Sequence, residues 1–199
     1  MALLMHRRAI GRGIMDWLAP AFLCVALAMA PTRAQSAVDS APASTLEMQV
    51  IAASLFRFLG YVDWPPQALP PGEPYVIGVI GADAIADELT AVAASRTINE
   101  RAVTVRRLKP GDQVDGVHQL FVSGGPATRQ QALQAARQLP VLIVTHAEGA
   151  LDRGSMINFR LVDRRLRFEV ALDAMDDAGL KVSSRMLGVA LHVRKSQPR

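Results

Sequence analysis

The chain has 199 residues, half of them hydrophobic and a fifth charged, with a formal net charge of +4. That balance excludes a disordered or fibrous protein and supplies enough apolar surface for a packed core. The single cysteine, Cys24, excludes an internal disulfide framework.

The first 34 residues read as a secretory leader. MALLMHRRAIGRG carries Arg7, Arg8 and Arg12 with no acid before Asp16, and LAPAFLCVALAMA (18–30) is an apolar run short for a bilayer span. Thr32-Arg33-Ala34 offers small residues at the exit, so cleavage after Ala34 is expected; Ala28-Met29-Ala30 also fits, but Pro31 would follow that cut. Arg7-Arg8 is a weak twin-arginine match, and Cys24 lacks the small residues that precede a lipidated cysteine. Removing four arginines and one aspartate from 22 basic and 18 acidic residues leaves 18 and 17. The basic excess therefore belongs to targeting, and the remainder lacks the clustered basic face of a nucleic-acid binder. Cys24 leaves with the leader, so the exported chain would depend on its core alone, with no redox switch.

Residues 35–44 (QSAVDSAPAS) are small and polar and read as a disordered mature N-terminus. From Thr45 to Val193 no linker, repeat or low-complexity run interrupts the chain, which predicts one domain with a short tail at 194–199. Thr45 opens a helix whose Ile51, Leu55, Phe58, Leu59 and Val62 follow helical spacing, until Trp64-Pro65-Pro66 stops it. YVIGVIG (75–81) is a buried-strand run and 82–95 a helix with Asp83 as its expected cap. Strands follow at 102–108 and 118–124, a helix with Pro126 in its first turn at 126–139, and a strand at 140–146. This alternation predicts an α/β sandwich, a mixed and mainly parallel sheet with helices on both faces. SMINFRLV (155–162) and RLRFEVAL (165–172) both alternate around Asp163-Arg164, which predicts an antiparallel hairpin at the C-terminal edge of the sheet.

The stretch FEVALDAMDDAGLKVSSRML (168–187) is dense in polar residues, yet each has a structural use. Asp173 and Asp176 have capping-box spacing, Gly179 is a helix stop, and Ser183 or Ser184 caps a last helix with Met186, Leu187, Ala190 and Leu191 on one face. Only Glu169, alternating with Phe168 along a strand, is left without an assignment. His118, His146 and His192 are scattered, though the first two flank strands and could meet; no metal-ligand motif is present. GVIGADAIADEL (78–89) lacks dinucleotide-binding glycine spacing, and Ser123-Gly124-Gly125 lacks the G-x-S-x-G of a nucleophile elbow. These readings leave no catalytic residue, metal or cofactor expected.

The order of features in GSMINFRLVDRRLRFEVALDAMDDAGLKVSSRMLGVALHV (154–193) resembles the C-terminal signature of the YfiR-like periplasmic proteins. The matching features are the turn at Gly154, Met156-Ile157, Arg167-Phe168-Glu169, Ala178-Gly179-Leu180, Ser183-Ser184 and Met186-Leu187. Phe58, Tyr61, Val62, Trp64 and Pro65 match the family's aromatic exit from its first helix, and 141–144 its strand before the glycine turn. The resemblance, over residues 45–193, implies a periplasmic α/β sandwich without catalysis. It further implies repression of the periplasmic sensor domain of an inner-membrane diguanylate cyclase, or a comparable sensor kinase, relieved by an outer-membrane-associated lipoprotein. The disulfides of the best-studied branch have no counterpart here. A homodimer is compatible with the chain, and a periplasmic small-molecule binding protein is the alternative class.

Five residues are candidates for partner contact. Tyr61 and Trp64 are aromatics of the kind enriched at interface hot spots, although core packing accounts for them as well. Arg160, Arg165 and Arg167 could form a basic edge on the hairpin, or a solvated edge that guards against aggregation.

Overall fold

A computed structural model describes residues 45–195. The leader at 1–34, the polar stretch 35–44 and the tail beyond Lys195 lie outside the described residues. The elements run α1 (Thr45–Phe58), β1 (Val62–Asp63), β2 (Tyr75–Ile80), α2 (Asp83–Ala93), β3 (Val103–Leu108), β4 (Gln119–Val122), α3 (Pro126–Ala135) and β5 (Leu142–Thr145). A 3-10 turn at Leu151–Arg153 leads to β6 (Ile157–Val162), β7 (Arg165–Ala171), α4 (Leu172–Asp177), β8 (Lys181–Val182), α5 (Ser184–Leu187) and β9 (His192–Arg194).

Seven strands form one sheet in the order β3-β2-β4-β5-β6-β7-β9, with β1 and β8 paired separately. The five strands from β3 to β6 are parallel, β7 is antiparallel to β6, and β9 lies parallel to β7. Parallel strands must be covered on both sides, and the apolar runs at 75–80, 119–122 and 142–145 supply side chains for both. Ile77, Val79, Phe121, Leu142, Val144, Ile157, Phe159 and Val170 pack under α1, α2, Met175 of α4 and Met186 of α5. Ile80, Leu120, Val122 and Ile143 face the other way, onto Ala132, Ala136, Val114 and Val117. Phe58 at the end of α1 stacks on Phe159 (5.7 Å) and meets the edge of Phe168 (5.2 Å), which joins the first helix to the hairpin.

Glycine is required where β2 and β4 end together. Gly81 has φ +72, and a Cβ there would stand 2.4 Å from the Ser123 carbonyl oxygen. Gly179, at φ +70, closes α4 as expected, with Leu180 N–H bonded to the Met175 carbonyl at 2.9 Å. Asp163 and Arg164 take φ +49 and +58, the paired left-handed conformation of a two-residue hairpin turn.

Five readings change. Asp83 does not cap α2: Ala82 holds the cap position without a side-chain bond, and Asp83 faces Arg107 at 3.7 Å. Asp173 does not cap α4 either; Ala171 holds that position, and the Asp173 carboxylate accepts from Nε and Nη2 of Arg194 at 3.2 and 3.1 Å. An arginine on a neighbouring strand thus holds Asp173, whereas Asp83 stays largely exposed at the first helical position and the close partner of Arg107 is Asp87. The last helix is a single turn, capped by Ser183 Oγ at 3.3 Å from Arg185 N–H, and stops before Gly188. The chain then turns into β9, with Leu191 N–H donating to the Phe168 carbonyl at 2.8 Å. β9 thus covers the outer side of β7, so the hairpin is next to the edge rather than at it. An open β7 would leave a row of unpaired backbone groups, and pairing satisfies them. Finally, His118 and His146 do not meet: one precedes β4 and the other follows β5, at opposite ends of adjacent parallel strands.

His118 is instead a buried junction. Its Nδ1 accepts the Val76 backbone N–H at 3.0 Å, and its Nε2 lies 3.1 Å from the Ala68 carbonyl, which makes Nε2 the protonated nitrogen. Trp64 and Tyr75 pack edge-on against its ring at 6.1 and 6.0 Å. Burial pushes the imidazole below its ordinary value, reinforced by the Arg101 charge and opposed by the bond to Ala68. The unfolded chain therefore binds the proton more readily than the folded one. Stability is complete above about pH 6.5, the unfolded value, and declines as the pH falls from there toward the lower folded value. His118→Ala is expected to cost at least about 2 kcal/mol through the orphaned Val76 N–H and Ala68 carbonyl, and to flatten that pH dependence. Urea melts of both proteins between pH 5 and 8 check this; equal slopes against pH would exclude His118 as the group responsible.

Candidate functional site

The five contact candidates do not come together. α1 runs into the segment 59–64, where β1 pairs with β8 and Ser183 N–H bonds the Tyr61 carbonyl at 2.8 Å. Tyr61 projects from this segment with 38% of its surface exposed, and Trp64 turns inward to 8%. The Trp64 indole lies against Tyr75 at 5.6 Å and donates from Nε1 to the His118 carbonyl at 3.1 Å. Those contacts are what the packing reading of Trp64 requires. Tyr61 keeps a polar tip and an exposed ring.

The arginines stand on the other side of the sheet. Register pairs Phe159 with Phe168 and Arg160 with Arg167, and places Val162 opposite Arg165. Since Phe159 and Phe168 point to α1, period-two alternation sends Arg160, Arg165 and Arg167 to the opposite face. Glu169 faces the same way: it pairs with Asn158 and His192 across the strands, and its Oε1 lies 3.4 Å from Arg160 Nη1. That assigns the glutamate, whose neighbours are the basic residues rather than the core. Arg194, on β9, bridges Asp173 and Asp152 at 3.1 and 3.3 Å. Arg165 and Arg167 are exposed and make no ion pair among the described residues. The outer part of this face, over β6, β7 and β9, therefore carries uncompensated positive charge.

A second feature escaped the sequence reading. A cleft of about 320 Å³ opens beside α3 at the C-terminal end of β5, lined by Pro126, Arg129, Gln130, Leu133, Thr145, Ala150, Arg153 and Ser155. Behind it lies a buried polar cluster. Thr145 Oγ1 is 2.8 Å from Ser155 Oγ and 2.9 Å from Asn158 Oδ1, which also accepts the Ala147 N–H at 3.0 Å. The only sequence signal for this site is polar residues at strand positions, Thr145 and Asn158, where an apolar side chain is the rule. Among the described residues no three His, Cys, Asp or Glu side chains are placed to hold a metal, and no helix is long and apolar enough to cross a membrane.

The sheet, the aromatic exit of α1 and the hairpin lie within a stretch, residues 48–191, that matches the family described as YfiR/HmsC-like. The chain belongs to the YfiR/HmsC-like family. No curated protein matches it. The theme of the YfiR/HmsC-like family is regulation of cyclic-di-GMP signalling from the periplasm, by proteins that act with signalling partners. In this YfiR/HmsC-like chain the family's aromatic exit divides into a buried anchor, Trp64, and an exposed neighbour, Tyr61.

The two aromatics are expected to respond differently to truncation. Trp64→Ala removes a buried ring and leaves the His118 carbonyl one donor short, and should cost about 3–5 kcal/mol. Tyr61→Ala should change stability by no more than about 1 kcal/mol. Chemical denaturation of each variant checks both; a Trp64→Ala protein as stable as the parent would remove Trp64 from the core.

Proposed function

We propose that this protein is a non-catalytic periplasmic regulator that binds and represses the periplasmic sensor domain of an inner-membrane diguanylate cyclase. It acts by stoichiometric association, favouring one state of the sensor and so shifting its equilibrium. Membership of the YfiR/HmsC-like family is the observation that carries this reading. The open, positively charged sheet face supports it, because Arg165 and Arg167 offer charge that no neighbour cancels and that suits an acidic surface. Tyr61, on the helix-bearing side, would serve as a second, aromatic contact, with Trp64 fixing the segment that presents it. A lipoprotein associated with the outer membrane would relieve repression by competing for the protein. A sensor kinase is the partner class that takes the cyclase's place if the cyclase fails the test.

The test is association of the purified protein with the periplasmic domain of a membrane cyclase from the same cell, measured by co-purification and titration. Micromolar or tighter binding is expected. Arg165→Glu combined with Arg167→Glu should weaken it by about tenfold or more, because a rim charge is reversed rather than removed, with folding unchanged. Absence of association with the cyclase domain at micromolar concentration would overturn the reading.

A further inference from the structure

The cleft beside α3 goes beyond this reading and needs no protein partner. Its walls divide by chemistry. Pro126, Leu133 and Ala150 are apolar, whereas Arg129 and Arg153 bring two guanidinium groups to the same opening. Neither arginine makes an ion pair among the described residues. Each is held by a carbonyl instead: Nη1 of Arg129 donates to Gly124 and Nη2 of Arg153 to Glu148. The carbonyls fix the side chains without neutralising them, so both charges remain available. The nearby Asp152 is already engaged by Arg194.

Two buried donors are unpartnered, one on the cleft lining and one behind it. One is Nε of Arg129, on the lining itself. The other is Nδ2 of Asn158, a fully buried side chain bonded to the Thr145 hydroxyl in the cleft wall. The orientation of that amide is set by the Ala147 N–H, which can only bond an oxygen, so the free atom is the NH2 group. A buried donor left unpaired carries a desolvation cost, and an acceptor brought into the cleft beside Arg129 would relieve that of its Nε. The volume falls at the small end of ligand pockets.

We propose that this cleft binds a small organic carboxylate, with its anion between Arg129 and Arg153 and its apolar body against Leu133, Ala150 and Pro126. A guanidinium matches a carboxylate in plane and in donor spacing. Inorganic phosphate fits less well, because Pro126 at the first turn of α3 removes one of the backbone N–H groups that cradle phosphate at helix N-termini, and the apolar walls would gain nothing.

The experiment is calorimetric titration of the purified protein with benzoate, with benzyl alcohol as its uncharged counterpart, and with inorganic phosphate. Benzoate should saturate a single site, with benzyl alcohol and phosphate each at least about tenfold weaker. Arg129→Gln combined with Arg153→Gln keeps a polar side chain at each position but removes both charges. It should weaken benzoate about tenfold or more while leaving the ligand-free melting temperature near the parent's. The proposal is overturned if benzoate shows no saturable binding at millimolar concentration, or if benzyl alcohol or phosphate binds as well as benzoate. Unchanged benzoate binding by the double variant would overturn it too. None of these outcomes bears on association with a cyclase, so the two readings fail separately.

Discussion

One imidazole determines how the middle of this molecule is assembled. The His118 ring and backbone together bond three separate segments: Val76 on β2, Leu142 on β5, and the connection between β1 and β2 through the Ala68 carbonyl and the indole of Trp64. A parallel sheet cannot form from neighbours in sequence; its strands must be brought together across long connections. His118 stands where β4 enters between β2 and β5, and its side chain takes over a ladder position that backbone would otherwise fill. Its neutrality follows from the same geometry, since a protonated Nδ1 would point a donor at the Val76 N–H.

From that junction the molecule divides into two sides with different duties. The α1 side is closed by helices and aromatic contacts, and its outlet, the segment holding Tyr61, is anchored by Trp64. The other side is closed over β2, β4 and β5, by α3 and the loop that carries Val114 and Val117. Beyond α3 it gives way first to the cleft with its two arginines and then to the exposed arginines of the hairpin. Asp152 and Arg194 connect these regions, since Asp152 precedes the cleft residue Arg153 and Arg194 belongs to the outermost strand.

Most of the architecture was legible from the amino acids because it rests on short-range rules. The apolar runs at 75–80, 119–122 and 142–145, the alternation of β6 and β7, and the Asp163-Arg164 turn each declare themselves locally. The failures lie beyond local pattern. Asp83 and Asp173 are good local caps, but both helices begin a residue or two early, from Ala82 and Ala171, and Arg194, distant in sequence, holds Asp173 instead. The helical spacing of Met186, Leu187, Ala190 and Leu191 yields after one turn because the free side of β7 demands a strand. The family emerged from the order of residues in 154–193, whereas the cleft did not, since Arg129, Thr145, Arg153 and Asn158 are ordinary singly and significant only once folded together. Each contact candidate had two uses in the sequence reading; the fold buries Trp64 and leaves Tyr61, Arg165 and Arg167 exposed, and only the packed chain shows which.

The contact between Phe58 and the hairpin bears on when the molecule can complete itself. Phe58 belongs to the first element, yet the rings it lies against are Phe159 and Phe168, and β1 finds its only partner in β8. A chain emerging from its N-terminus can cover most of that apolar helix with α2 and β2, but must leave its Phe58 end bare until nearly all the remainder has followed. Contacts of such long sequence separation slow folding and lengthen the time that sticky surface stays exposed. The same closure makes the two ends mutually dependent: loss of the hairpin from the C-terminus would strip the cover from the last turn of a helix about a hundred residues upstream.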